Sequence, residues 1–106
     1  MKLFNTLSNK IEELKSDQNV IRIYLCGVTV YDDCHIGHAR TIIVFDALRR
    51  FFLSKNLRVL FIQNFTDIDD KIIRDAKQAD LPINQFTKKY ELAYLQDLNK
   101  LIISLI

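Results

Sequence analysis

Residues 26 to 40 collect side chains that could bind a metal, a phosphate or a small substrate. The segment reads CGVTVYDDCHIGHAR, with two cysteines, two histidines and two glycines in fifteen positions. His35 and His38 are three residues apart, so both can project from the same side of a first helical turn. Two imidazoles at a helix start suit a phosphate whose negative charge grows during reaction. Either histidine could instead be only a helix cap or a surface residue.

The cysteines and the second acidic segment have less specific patterns. C-x7-C-H-x2-H is not a standard zinc spacing, and closing these four side chains on one metal would disrupt the helix start. A free cysteine is most often a small buried apolar residue, and Cys34 is assigned no role. The acids of TDIDD, residues 66 to 70, could attract Mg²⁺, but a charged helix N-terminus explains them without a metal.

Strand and helix signals place the first segment at the end of a strand. Val20 to Leu25 is short, apolar and rich in β-branched residues, which predicts a buried strand. Gly37 to Ser54 has no breaker and predicts a helix that stops near Asn56. Arg58 to Gln63 predicts a second buried strand. A parallel βαβ unit follows, with a crossover of about 30 residues. In such sheets ligands bind at the carboxyl ends of the strands.

Two more helices complete the predicted elements, Asp69 to Ala79 and Ile83 to Lys100, separated by Asp80-Leu81-Pro82. The predicted fold class is therefore α/β, a βαβ unit followed by C-terminal helices. With 106 residues there is room for one domain at most, and 49% hydrophobic with 26% charged residues is ordinary globular composition. A net charge of +2 does not by itself argue for nucleic-acid binding.

Location is predicted from the lack of targeting signals. No apolar run in the sequence is long enough to span a membrane, and the N-terminus does not read as a secretory signal. Two cysteines without an export signal favour a reducing compartment. We therefore expect a cytoplasmic protein with no membrane partner.

Residues 26 to 40 and 64 to 73 together resemble the opening of the cysteinyl-tRNA synthetases. CGxTVYD at 26 to 32 is followed by HIGHAR at 35 to 40, and HIGH is the signature of class I aminoacyl-tRNA synthetases generally. The flanking cysteine and Tyr-Asp narrow the resemblance to the cysteine enzyme. NFTDIDDKII at 64 to 73 resembles the family's second block, and LFNTL at 3 to 7 also fits. Val28 departs from the proline or isoleucine that the family often has.

The resemblance implies a cysteine–tRNA ligase, which activates cysteine with ATP to cysteinyl-adenylate and transfers it to tRNA-Cys. It implies the first half of a class I Rossmann-type nucleotide-binding fold, with Mg²⁺ accompanying ATP. His35 and His38 would be the catalytic residues that stabilise the phosphates. Thr29 and Gly37 would join both histidines in binding ATP.

A site for the substrate cysteine is also implied. Gly27 and Thr66 would line it, and Cys26 would be one ligand of a zinc ion whose open position binds the substrate thiolate. Zinc prefers a soft thiolate to a hydroxyl, which would separate cysteine from serine more sharply than pocket shape could.

Only the opening portion of the family is covered, up to about Leu98-Asn99. The family's other three zinc ligands, its lysine-rich KMSKS loop and the second half of its nucleotide fold lie beyond this chain. The apolar run Leu101 to Ile106 indicates a truncation near residues 100 to 106. We therefore expect residues 1 to 106 to form a single partial domain that is inactive alone.

Three alternatives stay open at the level of sequence. The cysteine ligase of mycothiol synthesis shares the cysteine and the His-x-Gly-His block, although Arg40 and DKII at 70 to 73 fit the synthetase better. The chain could also be a non-catalytic interaction module. It could equally be one part of a split synthetase, with a second polypeptide supplying the missing half.

Overall fold

A computed structural model of the protein describes residues 1–103, in which a parallel strand pair and three helices follow an N-terminal hairpin. The elements are β1 (Lys2–Asn5), β2 (Lys10–Glu13), β3 (Val20–Leu25), α1 (Ile36–Ser54), β4 (Arg58–Gln63), α2 (Asp70–Gln78) and α3 (Ile83–Lys100). The mixed α/β class predicted from the sequence is confirmed, because β3 and β4 pair in parallel with α1 between them in the chain.

The strand pair is in register over its full length. Val20 lies opposite Arg58 and Leu25 lies opposite Gln63, so the carboxyl ends of both strands meet at one edge. Ile21 and Leu25 are buried, which is why this β-branched run folds as a strand against the helices. The edge that follows Leu25 and Gln63 is where the sequence predicted a ligand site.

The helix boundaries agree with the predicted ones to within one residue. α1 begins at Ile36, one position before the predicted start, and Asn56 has the positive φ of 58° that ends the helix as expected. α2 starts after Asp69, whose side chain accepts a hydrogen bond from the Lys71 amide at 2.8 Å. At least one of the acids in TDIDD is therefore a helix cap. Asp80, with a φ of 53°, lies just beyond the end of the same helix.

The N-terminal hairpin was not predicted from the sequence. β1 and β2 pair in antiparallel fashion, and every residue of both strands is exposed. The amide of Leu14 donates to the Met1 carbonyl oxygen at 2.9 Å and so extends the pairing beyond the strands. The hairpin lacks the buried face whose alternating pattern identifies strands in a sequence.

Two clusters of buried side chains share Val28 and Phe65, the residues that follow the two parallel strands. One cluster joins β3, α1 and the end of α3 through Leu25, Ile42, Tyr94, Leu98 and Ile103. The other joins the strand ends to α2 and α3 through Val30, Ile72, Ala76 and Phe86. The polypeptide beyond β3 and β4 is thus packed from both sides.

Two predictions concern the C-terminus and membranes. The predicted apolar tail lies partly outside the described residues, since the structure describes it only to Ile103, which is buried. No helix among the described residues is long and apolar enough to cross a membrane.

Candidate active site

The segments that follow β3 and β4 are joined again beyond the strands. Thr29 and Thr66 form an isolated parallel bridge. The Val30 amide donates to the Thr66 carbonyl oxygen at 3.2 Å, and the Thr66 amide donates to the Val28 carbonyl oxygen at 3.0 Å. Two residues assigned to different substrates by the family resemblance, Thr29 for ATP and Thr66 for cysteine, are therefore direct neighbours.

Between the strands and this bridge, Gly27 lies against Asn64 in a very close backbone approach. A Cβ atom added to Gly27 would overlap the carbonyl oxygen of Asn64 almost completely. The Gly27 amide donates to the Asn64 side-chain oxygen Oδ1 at 2.7 Å. A glycine is therefore required at this position for steric reasons, independently of any contact with a substrate.

The start of α1 is capped by its own histidines. His35 is the N-cap residue, and its Nδ1 accepts a hydrogen bond from the Gly37 amide at 3.1 Å. In return, Nδ1 of His38 accepts from the His35 amide at 3.2 Å, which completes a reciprocal capping box. The two imidazole centroids are 4.0 Å apart. A Cβ on Gly37 would lie 2.8 Å from Cε1 of His35, so the glycine makes room for the folded-back ring.

This cap determines which nitrogen of each imidazole carries the proton when the ring is neutral. A nitrogen that accepts a hydrogen bond carries no proton, so the neutral rings carry their proton on Nε2. Burial lowers the pKa of His38 below its ordinary value, and the nearby His35 lowers it further, which favours the neutral form. Each Nε2–H can donate to a ligand oxygen. The Gly37, His38 and Ala39 amides are already used at the helix start, and the imidazole Nε2–H groups are further donors of this turn.

A cavity of about 260 Å³ opens where the β3 end faces α1. It brings together four of the residues predicted from the sequence: Cys26, Gly27, Thr29 and His38. Its remaining walls are Val28, Thr41, Ile42, Gln63 and Tyr94. Thr66 adjoins it through the bridge to Thr29, whereas His35 lines a neighbouring cavity.

Three polar lining residues of this cavity were missed by sequence reasoning. Thr41 follows His38 by three residues on α1, a helical spacing that could have identified it. Gln63 ends β4, a position that could also have been inferred from the strand prediction. Tyr94 carried no local signal, because its hydroxyl reaches the site from α3 and donates to Oε1 of Gln63 at 3.0 Å. Burial raises the pKa of this Tyr94 hydroxyl, the Gln63 hydrogen bond opposes that rise, and Cys34 adds to it.

The neighbouring cavity, of about 270 Å³, lies between the start of α1 and the end of α3. Cys34 and His35 line one side, with Asp97 and Lys100 on the other, and His38 borders both cavities. Burial raises the pKa of the Cys34 thiol, and the negative charges of Asp97 and Asp33 raise it further. The Cys34 thiol therefore favours its protonated form and packs beside the apolar core.

The zinc prediction can be compared with the donors that this part of the chain provides. Cys26 is a free, exposed thiol, with a long contact of 3.9 Å from its Sγ to the Gly27 carbonyl oxygen. Within residues 1–103 no group of three or more histidine, cysteine, aspartate or glutamate side chains could hold a metal ion. Because a catalytic zinc needs about three protein ligands, these residues do not fit a zinc site by themselves.

The histidine-capped helix start lies beside the carboxyl ends of two parallel strands, which is where ligands bind in many α/β domains. The model of one protein family, described as the class I (C) tRNA synthetase catalytic domain, matches residues 12–105. The chain therefore belongs to this family of tRNA synthetase catalytic domains.

The names of curated relatives are more specific than the description of the family. The chain is 48% identical over 101 residues to a cysteine–tRNA ligase of Prochlorococcus marinus strain MIT 9301, covering 95% of this chain and 21% of that protein. It is 52% identical over 103 residues to the cysteine–tRNA ligase of Finegoldia magna, covering 95% of this chain and 22% of that protein. The Gloeobacter violaceus cysteine–tRNA ligase is 41% identical over 102 residues. The chain thus spans about a fifth of the length of the curated relatives that it matches.

Proposed function

We propose that this chain forms the part of a cysteine–tRNA ligase that holds cysteine and the phosphates of ATP while cysteinyl-adenylate is made. The observation that carries the proposal is the single cavity lined by Cys26, Gly27, Thr29 and His38. The names of the relatives favour this reading over the mycothiol ligase or a non-catalytic module. We further propose that residues 1 to 106 are a partial domain, the first half of a Rossmann-type fold.

In the proposed reaction, the carboxylate of cysteine attacks the α-phosphorus of ATP, an O–P bond forms, and pyrophosphate leaves. Negative charge on the phosphate oxygens grows as the attacking and leaving oxygens share the phosphorus. His35 and His38 would donate from Nε2 to these oxygens, while their Nδ1 atoms remain in the helix cap. Thr29 and Gly37 would complete the ATP contacts, and Mg²⁺ would accompany the phosphates.

The cysteine substrate would lie at the strand ends. Gly27 and Thr66 would line its site, as the family resemblance implies, and their positions beside the cavity support this assignment. Cys26 would supply one thiolate to a zinc ion, but the further donors must come from outside residues 1–103. We therefore propose no step through zinc for the described residues.

The complete activity would require residues that the relatives carry outside the matched region. These would lie either in the same polypeptide or in a second one, and tRNA-Cys would be the acceptor of the cysteinyl group. A cytoplasmic location stays a prediction from the sequence.

The test is a chimera in which this chain replaces the matching segment of the Finegoldia magna ligase. The chimera should support cysteine-dependent exchange of labelled pyrophosphate into ATP, and the 106-residue chain alone should not. His38→Ala in the chimera should slow adenylate formation by about 10²–10³, the usual cost of losing one transition-state donor.

The control variant is Arg22→Ala on β3, whose exposed side chain pairs with Asp17 away from the cavity. It should leave the exchange rate close to that of the unsubstituted chimera. An inactive chimera that folds normally would contradict the proposed function. An active chimera in which His38→Ala changes nothing would contradict the role of the histidine alone.

A further inference from the structure

The side chain of Asn64 connects the two strand ends beside the cavity. Its Oδ1 accepts two hydrogen bonds, from the Gly27 amide at 2.7 Å and from the Tyr24 hydroxyl at 2.9 Å. The Gly27 amide can only donate, so the carbonyl end of the Asn64 side chain must face it. Asn64 therefore contacts β3 at its exposed Tyr24 and, three residues later, the loop that begins at Cys26.

We propose that Asn64 is a positioning residue, which holds the loop of residues 26 to 29 in the conformation that lines the substrate cavity. The assignment deepens the proposed function, because this loop carries the groups suggested to bind cysteine and ATP. Asn64 itself is not among the residues lining the cavity, so it acts through Gly27 rather than on a substrate.

Two features of the loop explain why it depends on this side chain. The Cys26 thiol is exposed and makes only a long sulfur contact to the adjacent carbonyl, so its direction follows the backbone at Gly27. The next hydrogen bonds that tie the two segments together join Val28 and Val30 to Thr66, at the far end of the loop. The hydrogen bond from the Gly27 amide to Asn64 lies between the last strand pair and this bridge.

The side chain at position 64 must accept hydrogen bonds and be short. Aspartate keeps the length and offers oxygen acceptors, whereas leucine has a similar size and offers none. An amide left without a partner next to the packed strand ends is costly, since hydrogen bonds are worth most where water cannot replace them. The Asn64→Asp and Asn64→Leu variants therefore separate the hydrogen bond from the volume of the side chain.

The chain has only two glycines, Gly27 and Gly37, which makes the test simple. Labelling with nitrogen-15 glycine should give two backbone amide signals, one from the proposed loop and one from the capped helix start. Hydrogen exchange of the Gly27 amide should be slow in the unsubstituted chain. It should become about tenfold faster in Asn64→Leu and stay within about threefold of the unsubstituted rate in Asn64→Asp.

Gly37 provides the internal control, because its amide is held by His35 and should exchange at the same rate in all variants. Asn84→Leu, at an exposed position of α3, is the matched control for replacing an asparagine by leucine. If Asn64→Leu accelerates both glycines, Tyr24→Phe removes one of the two hydrogen bonds to Asn64 with less disturbance. Faster exchange of Gly27 alone in Tyr24→Phe supports the proposal, and equal effects on both glycines in that variant overturn it.

The same variants in the chimera separate positioning from general stability. Asn64→Leu should raise the KM for cysteine about tenfold, with a smaller change in the KM for ATP, and Asn64→Asp should restore it. A Gly27 amide that exchanges rapidly in the unsubstituted chain overturns the proposal, as does an Asn64→Leu variant that leaves it slow. The exchange measurement does not depend on activity, so it tests the role of Asn64 whether or not the proposed function is correct.

Discussion

Replacing Gly27 by alanine should destabilise the chain far more than the same change at its other glycine. The added methyl group would overlap the backbone carbonyl of Asn64 rather than a mobile side chain. Because the clash is with backbone atoms, relieving it should separate the two strand ends by more than a hydrogen bond tolerates.

The expected cost follows from the hydrogen bonds at this point. Separation would break the bond from the Gly27 amide to Asn64 and strain the two at the bridge, from Val30 to Thr66 and from Thr66 to Val28. At about 0.5–1.5 kcal/mol each, their loss amounts to about 1.5–4.5 kcal/mol of unfolding free energy. For a chain whose described sheets have only two strands each, a loss in the upper part of that range is expected to remove the folded state.

The assay is urea unfolding followed by far-UV circular dichroism, with Gly37→Ala as the matched control. At Gly37 the added Cβ would lie 2.8 Å from the His35 ring, which can rotate away. That rotation breaks the helix cap and costs about 1 kcal/mol of unfolding free energy. Alanine regains about the same amount in helix propensity, so the net change should be small. Both variants reduce the conformational entropy of the unfolded chain to the same extent. The difference between their unfolding free energies therefore reports the clash between the added methyl group and Asn64. Equal stability of the two variants would refute the steric argument.

Three further predictions concern stability. Burial and the nearby His35 lower the pKa of His38, whose Nδ1 accepts a hydrogen bond in the cap, so this side chain binds a proton more readily in the unfolded chain. The urea midpoint should therefore be constant above about pH 6.5 and fall below it, and a midpoint that rises on acidification would contradict the cap. Ile72 is completely buried, and Ile72→Ala should cost about 2–5 kcal/mol, whereas Ile73→Ala on the exposed side of α2 should cost much less in the same assay. Within residues 1–103 no group of three metal-ligating side chains occurs, so adding EDTA to the isolated chain should leave its urea midpoint unchanged, and a lower midpoint would indicate a bound structural metal.

The helices and the parallel strands could be predicted because their signals are local. The breaker-free run of α1 and the stop at Asn56 lie within the helix or next to it. The β1–β2 hairpin could not be predicted in the same way. Its strands have four residues each, all exposed, and no Asn-Gly or Asp-Gly pair marks the turn.

The candidate site was predictable only where its residues are close in sequence. The segment from Cys26 to His38 can be recognised by its composition of cysteines, histidines and glycines. The prediction that it follows a strand and enters a helix is confirmed. Tyr94 and Gln63 meet through the packing of α3 on the strand ends, which no short pattern encodes. The role proposed for Asn64 also depends on a contact across 37 residues.

The sequence presented capping and phosphate binding by the histidines as alternatives, but the geometry makes them compatible. An imidazole has two nitrogens, and here the helix start uses Nδ1 of both rings. Aspartate at position 35 would cap the helix equally well, but its negative charge would repel a phosphate. Serine would cap it and could still donate through its hydroxyl, but that hydroxyl reaches less far than the imidazole Nε2. Histidine caps with Nδ1 and donates with Nε2 on the far side of the ring, so the cap orients both Nε2–H groups before any ligand arrives.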